Sequence, residues 1–226
     1  MLGVIINLND YTPFEHVCFA LGCLLWVVVY GFTIHTIRTR KFVDIALISV
    51  CANISWEFLW SWVFTTDMGS LYLWGYRIWF FLDCYIVYGL FKYGYKQILI
   101  PALVKRAQLA TVCAIIGWAV MLYFYIKNYD APISHMGAYS GYILSILMGM
   151  LYLTLFLSMS DKTLFSYPSV WCAGLGNLGV TMFCFSHFTD WFLLSMCVFT
   201  TLLNATYILV FSLQRKQQPV KELALV

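Results

Sequence analysis

Apolar runs of about twenty residues, each closed by a short polar stretch, follow one another along almost the whole chain. Roughly 20 apolar residues cross a bilayer core as a helix. The pattern therefore predicts seven transmembrane helices, at about 15–37, 43–65, 72–92, 107–127, 135–158, 168–187 and 191–213. The links are too short to hold a soluble domain, so residues 1–226 read as a single all-α membrane bundle. None of the five prolines (Pro13, Pro101, Pro132, Pro168, Pro219) falls in mid-helix, which predicts continuous helices. The leading segment MLGVIINLNDYTPFEH has no basic start and no small-residue cleavage site, so it does not read as a signal peptide.

Composition agrees with a lipid setting. Of 226 residues, 62% are hydrophobic and 10% charged, and the mean hydropathy is +0.82; soluble domains carry about 25% charge. The net charge of +3, spread without a basic stripe, gives no footprint for nucleic acid. The distribution of cations matters more. Arg38, Arg40, Lys41, Lys92, Lys96, Lys105, Arg106, Lys162, Arg215, Lys216 and Lys221 fall on one side of the expected bundle, with only Arg77 and Lys127 on the other. By the positive-inside rule the N-terminus is expected outside or in the lumen and the C-terminus in the cytoplasm. The membrane would be the endoplasmic reticulum in a eukaryote or the inner membrane in a bacterium. The eight cysteines form no CxxC and lie in apolar runs, which reads as small buried hydrophobes rather than a metal or disulfide framework.

Acids at membrane depth cost about 2.5–3.5 kcal/mol on insertion scales and call for a reason. Eight of the ten acids, Asp44 and Asp130 among them, fall at helix ends or in loops; Glu57 and Asp83 fall inside helices 2 and 3. Glu57 sits in Cys51-Ala-Asn-Ile-Ser-Trp-Glu-Phe-Leu-Trp60. Asn53 precedes it by four residues and Trp60 follows by three, so one helix face carries amide, acid and indole, with Trp56 beside them. Asp83 follows Trp79 by four residues; Asn177 and Asn204 lie mid-depth in helices 6 and 7, and Tyr207 one turn beyond Asn204. Such polar groups also serve simply as interhelical glue, and Asp83, Asn53 and Asn177 fit that reading too. The four histidines fall near helix ends, and no His, Asp and Glu group has metal-ligand spacing. A carboxyl in apolar surroundings favours its neutral form, which is a proton donor. Aromatic faces stabilise cations, so an acid among rings suits carbocation chemistry.

Several chemistries lack their residues. No aspartate-rich box or DxDD-type cluster occurs to hold magnesium against a diphosphate, helix 7 has no lysine for a retinal Schiff base, and neither GxSxG nor HExxH appears. No Pro-Gln pair opens a helix, and no repeat or broken-helix pair marks a transporter.

The segment Cys51-Ala52-Asn53-Ile54-Ser55-Trp56-Glu57-Phe58 resembles the N-[IA]-[SA]-W-E-F signature of the small membrane-integrated terpene cyclases of fungal meroterpenoid and indole-diterpene pathways, which have bacterial relatives. Chain length, seven helices, a basic C-terminal end and the helix-3 acid followed by Tyr88 and Lys92 are similar along essentially the whole chain. The resemblance implies metal-free, cofactor-free cyclisation of a lipid-soluble prenyl chain joined to an aromatic, polyketide or indole head, begun by protonating a terminal epoxide or alkene. It implies two essential acids: Glu57, and an Asp in a D-x-x-Y pattern of the last helix. Here the matching stretch is Asn204-Ala-Thr-Tyr207, so the second acid is replaced by an amide.

The expected function is thus a proton-initiated terpene cyclase. Glu57 is the expected general acid, Asp83 and Asn204 complete its polar centre, and Asn53, Trp56, Trp60, Trp79, Asn177 and Tyr207 line the substrate cavity. The expected partners are a hydrophobic prenylated substrate entering from the bilayer, with an upstream prenyltransferase and epoxidase. A proton-coupled seven-helix transporter using Glu57 and Asp83 as a relay is the rival reading; a non-catalytic assembly factor would leave the acid and aromatic face unexplained.

Overall fold

The computed structural model describes residues 4–98 and 104–217, with side chains to residue 214. Pro101, Pro219, Lys221 and Glu222 lie outside the described residues. Seven long helices make up the bundle: α1 (Pro13–Arg40), α2 (Leu47–Phe58), α3 (Ser70–Tyr93), α4 (Ala107–Tyr125), α5 (Ala138–Ser158), α6 (Tyr167–His187) and α7 (Trp191–Gln217), with no strand among the described residues. By length and composition five can cross a membrane: α1, α5, α6, α7, and α4 taken on to Ser134. The expectation of seven comparable spans is therefore met for five. Helix α2 has only twelve residues and α3 carries Arg77, Asp83 and Lys92 in its length.

Local chemistry explains the ends. Thr12 caps α1 in a reciprocal box: its Oγ1 accepts from Glu15 N–H at 3.3 Å, while Glu15 Oε2 accepts from Thr12 N–H at 2.6 Å, ahead of Pro13 in the first turn. Further along α1, Gly22 faces Gly176 and Gly179 of α6 so closely that a Cβ on Gly22 would stand 2.8 Å from the Gly176 carbonyl oxygen. Small residues let these two backbones approach in the manner of membrane helix pairs.

The helices are not all continuous, contrary to the expectation from proline placement. Helix α2 passes into a π turn over Leu59–Val63, where Phe64 N–H donates to the Leu59 carbonyl five residues back at 2.8 Å. Helix α4 does the same over Ile126–Asp130 before the short turn Ala131–Ser134. Proline is not the only way to break register: a π turn inserts a residue into the ladder and re-aims the side chains beyond it. In α2 it seats Trp60, fully buried, beneath the turn that opens α5.

Helix α2 also starts later than the apolar pattern suggests. Residues 41–46 form a link from Lys41, in left-handed conformation with φ 53°, to the helix start at Leu47. Within that link Phe42, Val43, Asp44 and Ile45 are all buried. Gln97 holds it in place, its Nε2 donating to the carbonyls of Val43 (2.8 Å) and Ile45 (2.7 Å). Helix α2 then runs through the middle of the bundle, against α3, α4 and α5, while α1 packs on α6 and α3 and α7 on α5 and α6. The space left among α1, α2, α3, α5 and α6 is a cavity lined largely by rings.

Candidate active site

Four side chains from three helices meet beside that cavity. Asn53 and Glu57, one turn apart on α2, are joined by a hydrogen bond from Asn53 Nδ2 to Glu57 Oε1 at 2.9 Å. The same amide nitrogen, with two N–H to share, also lies within hydrogen-bond distance of Asp83 Oδ2 of α3 at 2.9 Å and of Tyr30 Oη of α1 at 2.7 Å. Tyr30 O–H in turn donates to Glu57 Oε1. Glu57 is 1% exposed and Asp83 2%, and among the described residues no cation pairs with either. Glu57 Oε1 thus accepts two hydrogen bonds, whereas Oε2 is buried without an N–H or O–H donor. The Asp83 carboxyl is its close electrostatic neighbour. Two carboxyls this near, buried and with no cation beside them among the described residues, repel one another when both are charged.

Only Glu57 of the two acids reaches the ring-lined cavity; Asp83 stands behind Asn53 and lines a small separate void. The cavity, about 780 Å³ of empty space with its mouth included, has rings on several sides: Trp26, Trp56, Tyr76, Trp79 and Tyr142. Two of these rings are held by their polar ends. Trp56 Nε1 donates to Ser140 Oγ at 2.7 Å, and Tyr76 O–H donates to the Met136 carbonyl at 2.8 Å. Asp130, 0% exposed, fixes the other side of Ser140 by accepting its N–H at 2.7 Å along with its hydroxyl. It also takes Tyr139 N–H at 3.2 Å and the Ser134 hydroxyl at 2.5 Å, so this acid caps the start of α5. Between them Gly137 turns with φ 89°, where a Cβ would stand 2.8 Å from the Trp60 ring and 2.9 Å from that of Trp56.

Not every expected site residue comes to this place. Asn53, Trp56, Glu57, Trp79 and Asn177 line the cavity. Trp60 does not: it packs behind Trp56, ring centroids 6.5 Å apart, with its Nε1 buried and unpartnered. Asn204 and Tyr207 do not either. They face a second cavity, toward the α1–α2 link and α6, so Asn204 does not join the polar centre of Glu57 and Asp83. Helix α7 packs on α5 and α6 and has no strong contact with α2, which keeps its side chains from Glu57.

The sequence reading missed Tyr30 and Trp26. Trp26 and Tyr30 are one turn apart on α1, and that spacing was the available signal. Trp26 Nε1 donates to Asn177 Oδ1 at 3.0 Å across to α6. Trp26 and Asn177 both border the two cavities and so form part of the partition between them. Among the described residues no three His, Cys, Asp or Glu side chains gather as metal ligands.

Comparison with known proteins bears on what the arrangement is for. The family model of Pyr4-like transmembrane terpene cyclases matches residues 7–217. Among curated proteins, the chain is 29% identical over 108 residues to the Pyr4-family terpene cyclase mfmH of Annulohypoxylon moriforme, covering 47% of this chain and 44% of the relative. It is 30% identical over 94 residues to the terpene cyclase trt1 of Aspergillus terreus, covering 41% of this chain and 46% of the relative. The matched segments thus span under half the length of these curated relatives. No solved structure matches the chain significantly.

Proposed function

The chain belongs to the Pyr4-like transmembrane terpene cyclases, and from that premise we propose that it is a metal-independent cyclase in which Glu57 protonates a terminal epoxide of a prenylated substrate. The observation that carries the proposal is the state of Glu57. Its Oε1 is held by Tyr30 and Asn53, while Oε2 meets no N–H or hydroxyl donor among the described residues and has the Asp83 carboxyl as its neighbour, beside a cavity ringed by indoles and phenols.

The chemistry follows from those positions. The proton passes from Glu57 to the epoxide oxygen. The C–O bond breaks with its electron pair going to that oxygen, which leaves a hydroxyl and a tertiary carbocation. Neighbouring alkenes attack in turn, each forming a C–C bond and moving the charge along the chain. Loss of a proton from carbon ends the cascade, so the reaction is an isomerisation with no net proton consumed. Trp56, Trp79 and Tyr76 face the migrating charge and stabilise it by cation–π attraction while excluding water. An epoxide oxygen is more basic than an alkene, which favours it over the alkene as the proton acceptor for a carboxylic acid. Asn53 and Tyr30 are positioning residues, since both act on the acid rather than on substrate.

On this reading the substrate enters laterally from the bilayer and is supplied by a prenyltransferase and an epoxidase in a meroterpenoid or related pathway. The matched relatives are fungal, which supports the endoplasmic reticulum, with the C-terminus cytoplasmic by its basic flank. Family membership does not favour the transporter reading. The decisive measurement is product formation in microsomes fed an epoxidised prenyl-arene: Glu57→Gln abolishes cyclisation, and undiminished cyclisation would overturn the mechanism.

A further inference from the structure

At the basic end of the bundle lies a groove that the proton-donating centre does not reach. It is walled by the last turns of α1, the end of α5, the loop from Lys162 into the first turn of α6, and α7 near Gln214. Its interior of about 470 Å³ is of the size that takes small molecules. Two kinds of wall meet there. Phe156, Phe165 and Phe211 are buried and packed ring on ring, with centroids 5.3 Å and 4.7 Å from that of Phe156. His35 and Arg40, both exposed, and the half-buried Lys162 give the groove its charge, and no Asp or Glu lines it.

The two full cations are held in place by the chain. Lys162 Nζ donates to the carbonyls of Leu157 (3.1 Å), Met159 (2.6 Å) and Phe156, and stands 4.8 Å over the Phe156 ring. Its three N–H groups are thereby used, and what it offers the groove is a fixed charge. Arg40 Nη1 donates to the carbonyl and to the hydroxyl of Thr163, the latter at 3.0 Å. Its hydrogen bonds to the chain run through that nitrogen, so the edge formed by Nε and Nη2 stays open, and this edge matches two oxygens of a phosphate. Asp161, in the same loop, is within electrostatic reach of Arg40 without forming an ion pair with it.

A cationic edge beside an aromatic wall fits a molecule with an anionic head and an apolar tail. A small soluble anion would leave the rings wet, and a neutral lipid would leave the charges of Arg40 and Lys162 without a counterion. In a bundle set in a bilayer, basic pockets at the helix ends meet the phosphates of acidic lipids. We propose that this groove binds one acidic phospholipid, its phosphate on the open edge of Arg40 with Lys162 as the fixed countercharge, and its apolar part against the phenylalanine wall. A lipid seated there joins the end of α1 to the α5–α6 loop and α7. The site is separate from Glu57 and rests on no reading of the cyclase chemistry.

The test counts lipids on the full chain by native mass spectrometry from a neutral detergent, with dioleoyl phosphatidic acid as probe and dioleoyl phosphatidylcholine as control. The wild type binds its first phosphatidic acid about tenfold more tightly than phosphatidylcholine, the worth of one charge-assisted hydrogen bond. Arg40→Gln lowers that preference to below about threefold. Because Arg40 also braces Thr163, Gln214→Glu is the second variant: it sets a carboxylate in the groove, leaves the bonds of the loop intact, and lowers the preference as far. Arg38→Gln, at the same end of α1 but over Tyr85 and outside the groove, keeps the wild-type preference. A wild type that does not distinguish the two lipids, a preference that survives both groove variants, or an equal loss in Arg38→Gln overturns the site and leaves only a basic surface. Glycerol 3-phosphate at the concentration of the lipid does not displace it; displacement would make the groove a soluble-phosphate site and overturn the lipid as its occupant.

Discussion

Glu57 and Asp130 are both 1% exposed or less, and among the described residues neither pairs with a cation, yet the bundle treats them in opposite ways. Asp130 has both oxygens occupied: Oδ1 accepts from Ser134 Oγ and Tyr139 N–H, and Oδ2 from the hydroxyl and N–H of Ser140. Glu57 has one oxygen held twice and the other receiving no donor, with a second carboxyl beside it. The difference teaches how to tell a structural acid from a chemical one when both are buried. An acid whose acceptor sites are all filled from the chain has nothing left to offer a substrate. One left short, inside a cavity, keeps its proton available.

Substitutions at the two sites should therefore fail in different ways. The largest effect is expected at Glu57→Gln. It keeps an amide oxygen for Asn53 and Tyr30 but removes the acid, so cyclisation should fall by about 100- to 10,000-fold, with the thermal midpoint in nanodiscs little changed. Asp130→Ala should do the reverse. It strips the α5 cap and the support of Trp56, lowering stability by about 3 kcal/mol, while whatever folds retains turnover per molecule. If Asp130→Ala folded normally but were inactive, the distinction between the two acids would break.

Asp44 lies between these extremes and sharpens the comparison through pH. Burial pushes its carboxyl up to about 6. The folded state then holds this proton more tightly than the unfolded chain does. Stability falls as pH rises through the range between the ordinary carboxylate value and 6, and the full cost is present above 6. Asp44→Asn should therefore be more stable than the wild type by about 2–3 kcal/mol at pH 8, with the gain vanishing near pH 4. A denaturation series across pH reads this directly. The smallest effect is expected at Tyr30→Phe, which removes one of two hydrogen bonds to Glu57 Oε1. Turnover should fall about fivefold, near 1 kcal/mol, with the pH profile of kcat displaced and KM unchanged.

Much of the bundle was legible because apolar runs and helices share one length scale. The observed ends of α5, α6 and α7 lie within a few residues of the expected ones. The Asn53 and Glu57 pair was legible for the same reason, since their contact is within one helix and depends on spacing alone. The expectations that failed depended on neighbours. Asn204 and Tyr207 were placed by depth, but which cavity a helix face meets is set by packing between helices, and α7 turns them toward the link. Tyr30 carried only its one-turn spacing from Trp26 as a signal, and spacing does not say which neighbouring helix that face of α1 meets. Asp44 read as an ordinary helix-end acid, because nothing local records that Gln97 draws the link inward. The π turns carry neither proline nor a glycine of their own, so they left no mark at all.

The hydrogen bond between Trp26 and Asn177 has an evolutionary reading as well as a geometric one. On the cyclase reading it is part of the boundary between the two cavities, whose walls share Trp26 and Asn177. Related enzymes could trade chain length against head-group size by altering these two positions, while the proton source on α2 stayed as it is. Diversification of products would then be a matter of redrawing a partition rather than of reinventing an acid.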